Sequence, residues 1–296
     1  MADIRSDASE IIHYYIPDFP VFFRNNHITK DYDFSDISIH WHDEVEFVYV
    51  YSGSIRHRLN GYEVRIGTGE GIFINSRQLH LIETDNAECD LLCLIFHPTI
   101  LCSTSHVAKK CVAPIIENHG IPYIHMSEKV EWHKKIFQRL VDIDKSLDCY
   151  NCEMKIMSLL YEIWDILYEN IDFEKAGPCE NQNLSLVKKM ITYVQSNYQN
   201  KITLKDICDA GMVGKTKGIR LFEQYLHLTP MEYVNHYRIE KAVYLLRETD
   251  LSMTQIAGDA GFSESSYFSK LFKEKIGKSP KQYRKEMEVI RDGREK

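Results

Sequence analysis

Residues able to do chemistry fall in two places along this 296-residue chain. In the first, His40-x-His42-x3-Glu46 is followed by His80. On an extended segment, alternation puts His40, His42 and Glu46 on one face, and His80 can join them from a neighbouring strand. Imidazoles with a carboxylate are the ligand set of a divalent transition metal with open positions. The same four side chains also suit a pocket for an organic molecule. We favour the pocket, with no cofactor expected; a divalent metal on His40, His42, Glu46 and His80 is the alternative. The second place has two short stretches that combine cations with hydroxyls: Lys215, Thr216, Lys217 and Arg220, then Ser265, Ser266 and Lys270. A guanidinium meets two acceptors on a guanine edge, whereas lysines and hydroxyls suit phosphate. Arg220 is the best candidate for a base contact.

The elements that must position this second group are written twice. DAGMVGKTKGIRLF (209–222) and DAGFSESSYFSKLF (259–272) share Asp, Ala, Gly, Leu and Phe at a spacing of 50 residues, and Thr229-Pro230 answers Ser279-Pro280 at the same spacing. Two copies read as a paired module. Thr203 followed by Asp206, and Ser252 followed by Gln255, are capping boxes that start short helices. Each copy then reads as helix, tight turn and second helix, the layout that puts the second helix in the DNA major groove. In the second copy Gly261 supplies the turn, Ser263 the cap, and Glu264–Lys275 the inserted helix, with Phe268, Leu271 and Phe272 on its buried face. A helix opened by Thr229 and Pro230 joins the copies and sets their spacing, suiting grooves about 34 Å apart. Gly218 stands where Phe268 stands in the other copy, and glycine costs a helix ~1 kcal/mol relative to alanine. The first recognition helix is therefore expected to pack more loosely.

Residues 1 to about 100 read as short strands rich in β-branched and aromatic residues, punctuated by Gly, Asn and Asp. That pattern suggests a small barrel or double-sheet sandwich. Trp41, Tyr49 and Tyr51 could offer stacking surfaces for a sugar, but aromatic residues in strands are more often core. From 127 to about 171 the period becomes helical, with Ile136, Leu140, Ile143 and Leu147 on one stripe and Ile156 to Leu167 on another. This hairpin either covers the barrel, pairs with a second copy, or does both. Phe173 to Asn183, with Gly-Pro and no apolar period, reads as a linker. The domains expected are 1–125, an effector-binding barrel; 126–172, a helical hairpin that dimerises; 173–183, the linker; and 184–296, the DNA-binding module.

Charge divides along the same line. Residues 185–296 hold 20 Lys+Arg against 14 Asp+Glu, a net of +6, while residues 1–184 carry −13. A basic module with an acidic partner suits double-stranded DNA. MADIRSDASE has neither the basic start nor the apolar core of a secretory signal, and no apolar run reaches the length of a membrane span. Eight cysteines without such a signal suggest free thiols in a reducing cytoplasm. Cys149-x-x-Cys152 reads as an ordinary thiol pair.

Two resemblances add to this. His40-x-His42-x3-Glu46-x6-Gly53, with Gly69-x5-Asn75 and His80, resembles the cupin double motif and implies a jelly-roll barrel. Phe34, Asn75 and Arg77 replace two Gly and a Pro of that pattern, which affects turns more than ligands. Residues 238–284 look like the signature of the AraC/XylS family: Arg238-Ile239-Glu240-x-Ala242, Ile256-Ala257, Gly261-Phe262, Tyr267-Phe268-Ser269, Phe272-Lys273, Gly277 and Ser279-Pro280-x-x-Tyr283-Arg284. The resemblance implies an α+β multidomain protein with an N-terminal cupin-like β-barrel and helical hairpin, followed by an all-α tandem helix-turn-helix domain. By positional carry-over Lys215, Thr216, Lys217, Arg220, Ser265, Ser266 and Lys270 face DNA. The expectation is a cytoplasmic, homodimeric transcription regulator, not an enzyme, controlled by a small effector. The competing reading is a metal-dependent cupin enzyme tethered to DNA by its C-terminal domain.

Overall fold

Among the described residues, ten strands and ten α-helices follow one another, all strands preceding the long helices. The structure is a computed structural model that describes residues 3–4, 9–16, 18–28, 39–84, 88–147, 149–173 and 182–286. Phe34 and most of the expected linker, 174–181, lie outside the described residues. The chain forms two compact units, essentially Ser9–Gln182 and Asn183–Lys296.

In the first unit the strands are β1 (Asp3–Ile4), β2 (Glu10–Ile11), β3 (Val21–Ile28), β4 (Val45–Ser52), β5 (Ser54–Leu59), β6 (Tyr62–Gly67), β7 (Glu70–Ile74), β8 (His80–Thr84), β9 (Cys89–Phe96) and β10 (Tyr123–Ser127). One sheet has the order β10-β7-β4-β9-β3 and a second the order β6-β5-β8. Both faces of the larger sheet are buried, so its strands read as near-continuous apolar runs while period two still sorts their side chains. On β4, Phe47 and Tyr49 turn to a helix-covered core, whereas Val48 and Val50 turn to the interior shared with Ile55, Leu59 and Ile66 of the smaller sheet. Glu46, in phase with Val48 and Val50, belongs to that interior. Tyr49 takes the core alternative: its ring stacks on Phe137 at 4.4 Å and its hydroxyl donates to Glu128 at 2.6 Å.

Two of the three departures from the cupin motif keep the turn they occupy. Asn75 donates to the carbonyls of Ile115 and Ile121 and accepts from the Ser76 amide. Arg77 adopts the left-handed φ of +63° that a glycine would take, and its Nε donates to Asp43 at 2.6 Å.

After β9 come a 3-10 turn and the short helices α1 (Ser105–Val107) and α2 (Ala113–Ile116), which the periodicity of the sequence does not mark. The helical pair is α3 (Glu131–Asp144) and α4 (Cys152–Asn170). Ile136, Leu140 and Ile143 are buried against Leu160, Ile163 and Trp164. Leu147, expected on the same stripe, lies beyond the end of α3 and is 39% exposed. Trp164 is oriented by donating Nε1–H to the Cys111 carbonyl at 3.0 Å. The cysteines of the described residues form no disulfide.

The second unit comprises α5 (Gln182–Asn197), α6 (Leu204–Ala210), α7 (Lys215–Leu226), α8 (Pro230–Glu248), α9 (Met253–Asp259) and α10 (Ser265–Ile276). Capping boxes open α6 at Thr203, α8 at Thr229 and α9 at Ser252, each joining the cap to the third helical residue. The repeat, however, is out of step with its sequence by one residue. Thr203 and Ser252 cap equivalent helices, as do the bonds Gly211 N to Ile207 O and Ala260 N to Ile256 O, a spacing of 49. From α7 and α10 onward the spacing is 50. The extra residue sits in the second turn, so the two Asp-Ala-Gly triplets are not structural equivalents. Gly261 takes the left-handed turn at φ +86°, but its counterpart is Met212 at φ +52°, not Gly211.

Candidate functional site

Four histidines and a carboxylate meet inside the barrel. Glu46 comes from β4, His80 from the start of β8, and His57 from the middle of β5. His40 pairs with His80 across an isolated bridge, and Glu10 of β2 bonds its amide to the Trp41 carbonyl, so a short extended segment brings in His40 and His42. The structure thus brings His40, His42, Glu46 and His80 together. All are at most 5% exposed, so they form a buried cluster. His80 Nε2 lies 3.2 Å and His42 Nε2 3.6 Å from the same oxygen of Glu46. His40 Nε2 lies 3.1 Å from Glu10. His57, which no motif marks, is fully buried, with neither ring nitrogen hydrogen-bonded. Cys93 directs its thiol to Glu46 at 3.5 Å.

The electrostatics of this cluster pull in opposite directions. Burial pushes the Glu46 carboxyl up, yet His42 and His80 more than offset it and hold the group well below the usual carboxylate range. Burial pushes His57 down to about 3 and, with the neighbouring His40, pushes His80 down as well. An ionised carboxylate therefore sits near two imidazoles, His57 and His80, that burial drives towards neutrality.

The C-terminal unit presents its candidates on two helices. Along α7, Gly218, Leu221, Phe222, Tyr225 and Leu226 are buried, while Lys215, Thr216, Lys217 and Arg220 are exposed. Along α10, Phe268 and Phe272 are buried, Leu271 is half-buried, and Ser266 and Lys270 are exposed. Ser265, the first residue of α10, is half-buried. The expected cap at Ser263 is displaced by the longer turn: Glu264 holds the cap position. Neither recognition helix has a side-chain cap, so the first-turn amides of both carry partial positive charge outward. Gly218 is tightly packed, contrary to expectation. A Cβ built on it would lie 2.4 Å from Cys208 Sγ, which fills the space that a larger residue on α7 would need.

Two family models match the chain: an AraC-like ligand binding domain over residues 26–122 and a helix-turn-helix domain over residues 210–286. The chain belongs to the AraC family of transcription regulators. Among relatives, the uncharacterized HTH-type transcriptional regulator YdeC of Bacillus subtilis is 28% identical over 84% of this chain and 86% of its own length. The melibiose operon regulatory protein of Escherichia coli is 24% identical over 83% of each chain. The transcriptional activator RhaS of Escherichia fergusonii is 28% identical over 83% of this chain and 86% of its own. The regulator thus pairs a β-rich, effector-binding N-terminal domain with a C-terminal helix-turn-helix domain that binds DNA.

One exposed residue of α10 carries no functional mark in the sequence. Tyr267 of the regulator is 47% exposed, and its hydroxyl accepts from Asn235 at 3.2 Å. It occupies the place in α10 that Lys217 holds in α7, fifty residues earlier. The lysine at the equivalent place is the available sign in the sequence of this outward position.

Proposed function

We propose that α7 and α10 enter successive major grooves of duplex DNA, with Arg220 reading guanine, Lys215, Thr216 and Lys217 meeting phosphate or base edges, and Ser265, Ser266, Lys270 and Tyr267 forming the second contact. The observation that carries this reading is the paired construction: two uncapped helices with exposed polar faces, each braced by a short capped helix and joined by α8. In this reading the effector is a sugar held by the N-terminal domain around His40, His42, Glu46 and His80. The melibiose operon relative supports that effector class. An effector acts only by favouring one of two arrangements that differ in DNA affinity. The α3–α4 pair, whose outer side exposes Tyr150, Met154 and Tyr161, serves as the contact with a second copy. The regulator acts in the cytoplasm without catalysing a reaction. No helix among the described residues is long and apolar enough to cross a membrane.

Selection of duplexes from a random pool by the full chain tests this. The expected outcome is a motif with two blocks about one helical turn, ~10 base pairs, apart, whose binding shifts when a panel of sugars is added. Equal affinity for selected and random DNA would sink the reading.

A further inference from the structure

A tyrosine in α10 stands where α7 carries a lysine, and the two side chains meet a polyanion in different ways. Lys217 ends in an ammonium with three donors on a flexible stem, so it finds an anion without being aimed. Tyr267 ends in a single O–H on a rigid ring and must be aimed to donate. Two contacts aim it. Asn235 of α8 donates Nδ2–H to the hydroxyl at 3.2 Å, and the Phe262 ring meets the tyrosine ring edge-on with centroids 6.2 Å apart. The Arg238 guanidinium, 5.8 Å from the Phe262 centroid, holds that ring in turn. The Asn235 bond takes one lone pair of the hydroxyl, and no acceptor among the described residues takes its proton. Because the residue is exposed, that proton is available to whatever α10 docks on. Its place on the helix narrows the acceptor. Successive helical residues are turned by about 100°. Ser266 and Lys270, one turn apart, lie on the outermost line of α10, and Phe268 and Phe272 on the buried line. Tyr267 stands between the two, on the flank beside α8. In a groove, the outermost line of a helix faces base edges and its flanks face the sugar-phosphate walls.

We propose that Tyr267 donates its hydroxyl proton to a phosphate oxygen at the wall of the groove that α10 enters, with Asn235 as the positioning residue that fixes the hydroxyl. The inference rests on the reading that α10 docks in a groove, and it adds which part of the DNA the flank of the helix takes. A phosphate oxygen only accepts, which matches a hydroxyl with one lone pair engaged and its proton unspent. The Asn235 bond also polarises the O–H and strengthens it as a donor. The contact carries no charge, so it displaces no counterion and adds nothing to the salt dependence of binding. Before Lys270 the polar side chains of α10 are hydroxyls, whereas α7 presents Lys215, Lys217 and Arg220. The two halves of the module thus differ in kind. The first brings cations to the DNA and the second brings aimed neutral donors, so the second contact weakens less as salt rises.

The test uses the full chain and fluorescence anisotropy on a selected and a random duplex over a salt series. Tyr267→Phe keeps the ring and removes the hydroxyl. It is expected to weaken binding to both duplexes about three- to tenfold, the worth of one neutral hydrogen bond, with the slope of log K against log salt unchanged. Lys217→Ala, the equivalent change in α7, is expected to lower that slope by about one. Asn235→Ala should weaken both duplexes about two- to fivefold in the parent chain and change nothing in a chain that already carries Tyr267→Phe, because the asparagine acts through the hydroxyl. An equal loss in both backgrounds would remove Asn235 from the positioning role. Loss confined to the selected duplex, with relaxed preference at one base pair, would overturn the phosphate assignment, and unchanged affinity of Tyr267→Phe would overturn the contact altogether. If Asn235→Ala misfolds by circular dichroism, Tyr267→Phe, which keeps the packing on Phe262, decides alone. A parent chain with no preference for the selected duplex sinks the groove reading itself, a result distinct from a selective parent whose affinity Tyr267→Phe leaves unchanged.

Discussion

Cys208 Sγ stands where a side chain on Gly218 would have to go, 2.4 Å from the position of its Cβ. In the second copy the equivalent pair is Ala257 and Phe268, both buried, so volume has moved from one helix to the other across the same contact. The glycine is a fitted residue and not a weak point. Gly218→Ala is expected to destabilise the C-terminal domain by up to ~2 kcal/mol, because overpacking of ~1–3 kcal/mol outweighs the ~1 kcal/mol gained in helix propensity. Adding Cys208→Ala should recover most of that loss. Thermal unfolding of the four forms measures the coupling, and a Gly218→Ala chain more stable than the parent would contradict this packing account.

The one-residue offset of the repeat gives Met212 and Gly261 the same left-handed turn. Met212 is 76% exposed, so its side chain contributes little packing. A left-handed non-glycine residue costs roughly 1–2 kcal/mol and glycine gives back about 0.5–1 in chain entropy, so Met212→Gly should stabilise by up to about 1 kcal/mol. Gly261→Ala should do the reverse and more. Its Cβ would meet the Tyr198 carbonyl at 2.2 Å as well as the unfavourable φ. Melting temperatures of the two variants are expected to move in opposite directions.

Much of this architecture was legible because single residues settle it. Thr203 and Ser252 announce their helices through the capping partner three residues on, Thr229 through the proline that follows it, and capping boxes form at all three. The meeting of His40, His42, Glu46 and His80 was legible only in part: alternation puts the first three on one face, but a bend at 43–44 separates the segment of His40 and His42 from β4, and His80 arrives from β8. His57 was not, because its approach depends on how β5 lies against β8, a tertiary fact with no local signature. The turn register is obscured for a related reason. Identical Asp-Ala-Gly letters outweighed the capping boxes, although the caps, spaced by 49, were the physically stronger marker. Nor does periodicity reveal that Leu147 falls past the end of α3, where Lys145 and Ser146 close the helix through bonds to Val141 and Ile143.

Arg238 is expected to matter for geometry, not DNA contact. Its Nε donates to the Tyr198 carbonyl and its Nη2 to the Asn200 carbonyl, each at 2.8 Å, and its guanidinium lies 5.8 Å from the Phe262 ring centroid. It thereby ties α8 to the segment after α5 and to the turn of the second helix-turn-helix. Arg238→Ala should cost about 2 kcal/mol or more of stability, since charged hydrogen bonds contribute ~1.5–3 kcal/mol and their carbonyls lose a donor. Arg238→Lys should restore only part, because one ammonium does not span both carbonyls as the planar fork does. Chemical denaturation measures both, and full recovery by lysine would show that charge alone suffices.

Arg220 and Lys215 both stand exposed on α7, yet the proposed roles separate them experimentally. Arg220 lies one turn into the helix, where a guanidinium can reach paired acceptors of guanine; Lys215 is the first helical residue, beside the uncapped amides that favour phosphate. On a selected operator, Arg220→Ala should lose ~1–3 kcal/mol of affinity and relax the preference at one base position, while affinity for random duplex changes little. Lys215→Ala should weaken operator and random DNA alike, and should reduce the slope of log K against log salt by about one. Fluorescence anisotropy over a salt series, on both duplexes, provides every quantity needed. If Arg220→Ala lowers both affinities equally and changes the salt slope as Lys215→Ala does, then Arg220 is a phosphate contact and base reading by α7 rests on Thr216 or Lys217.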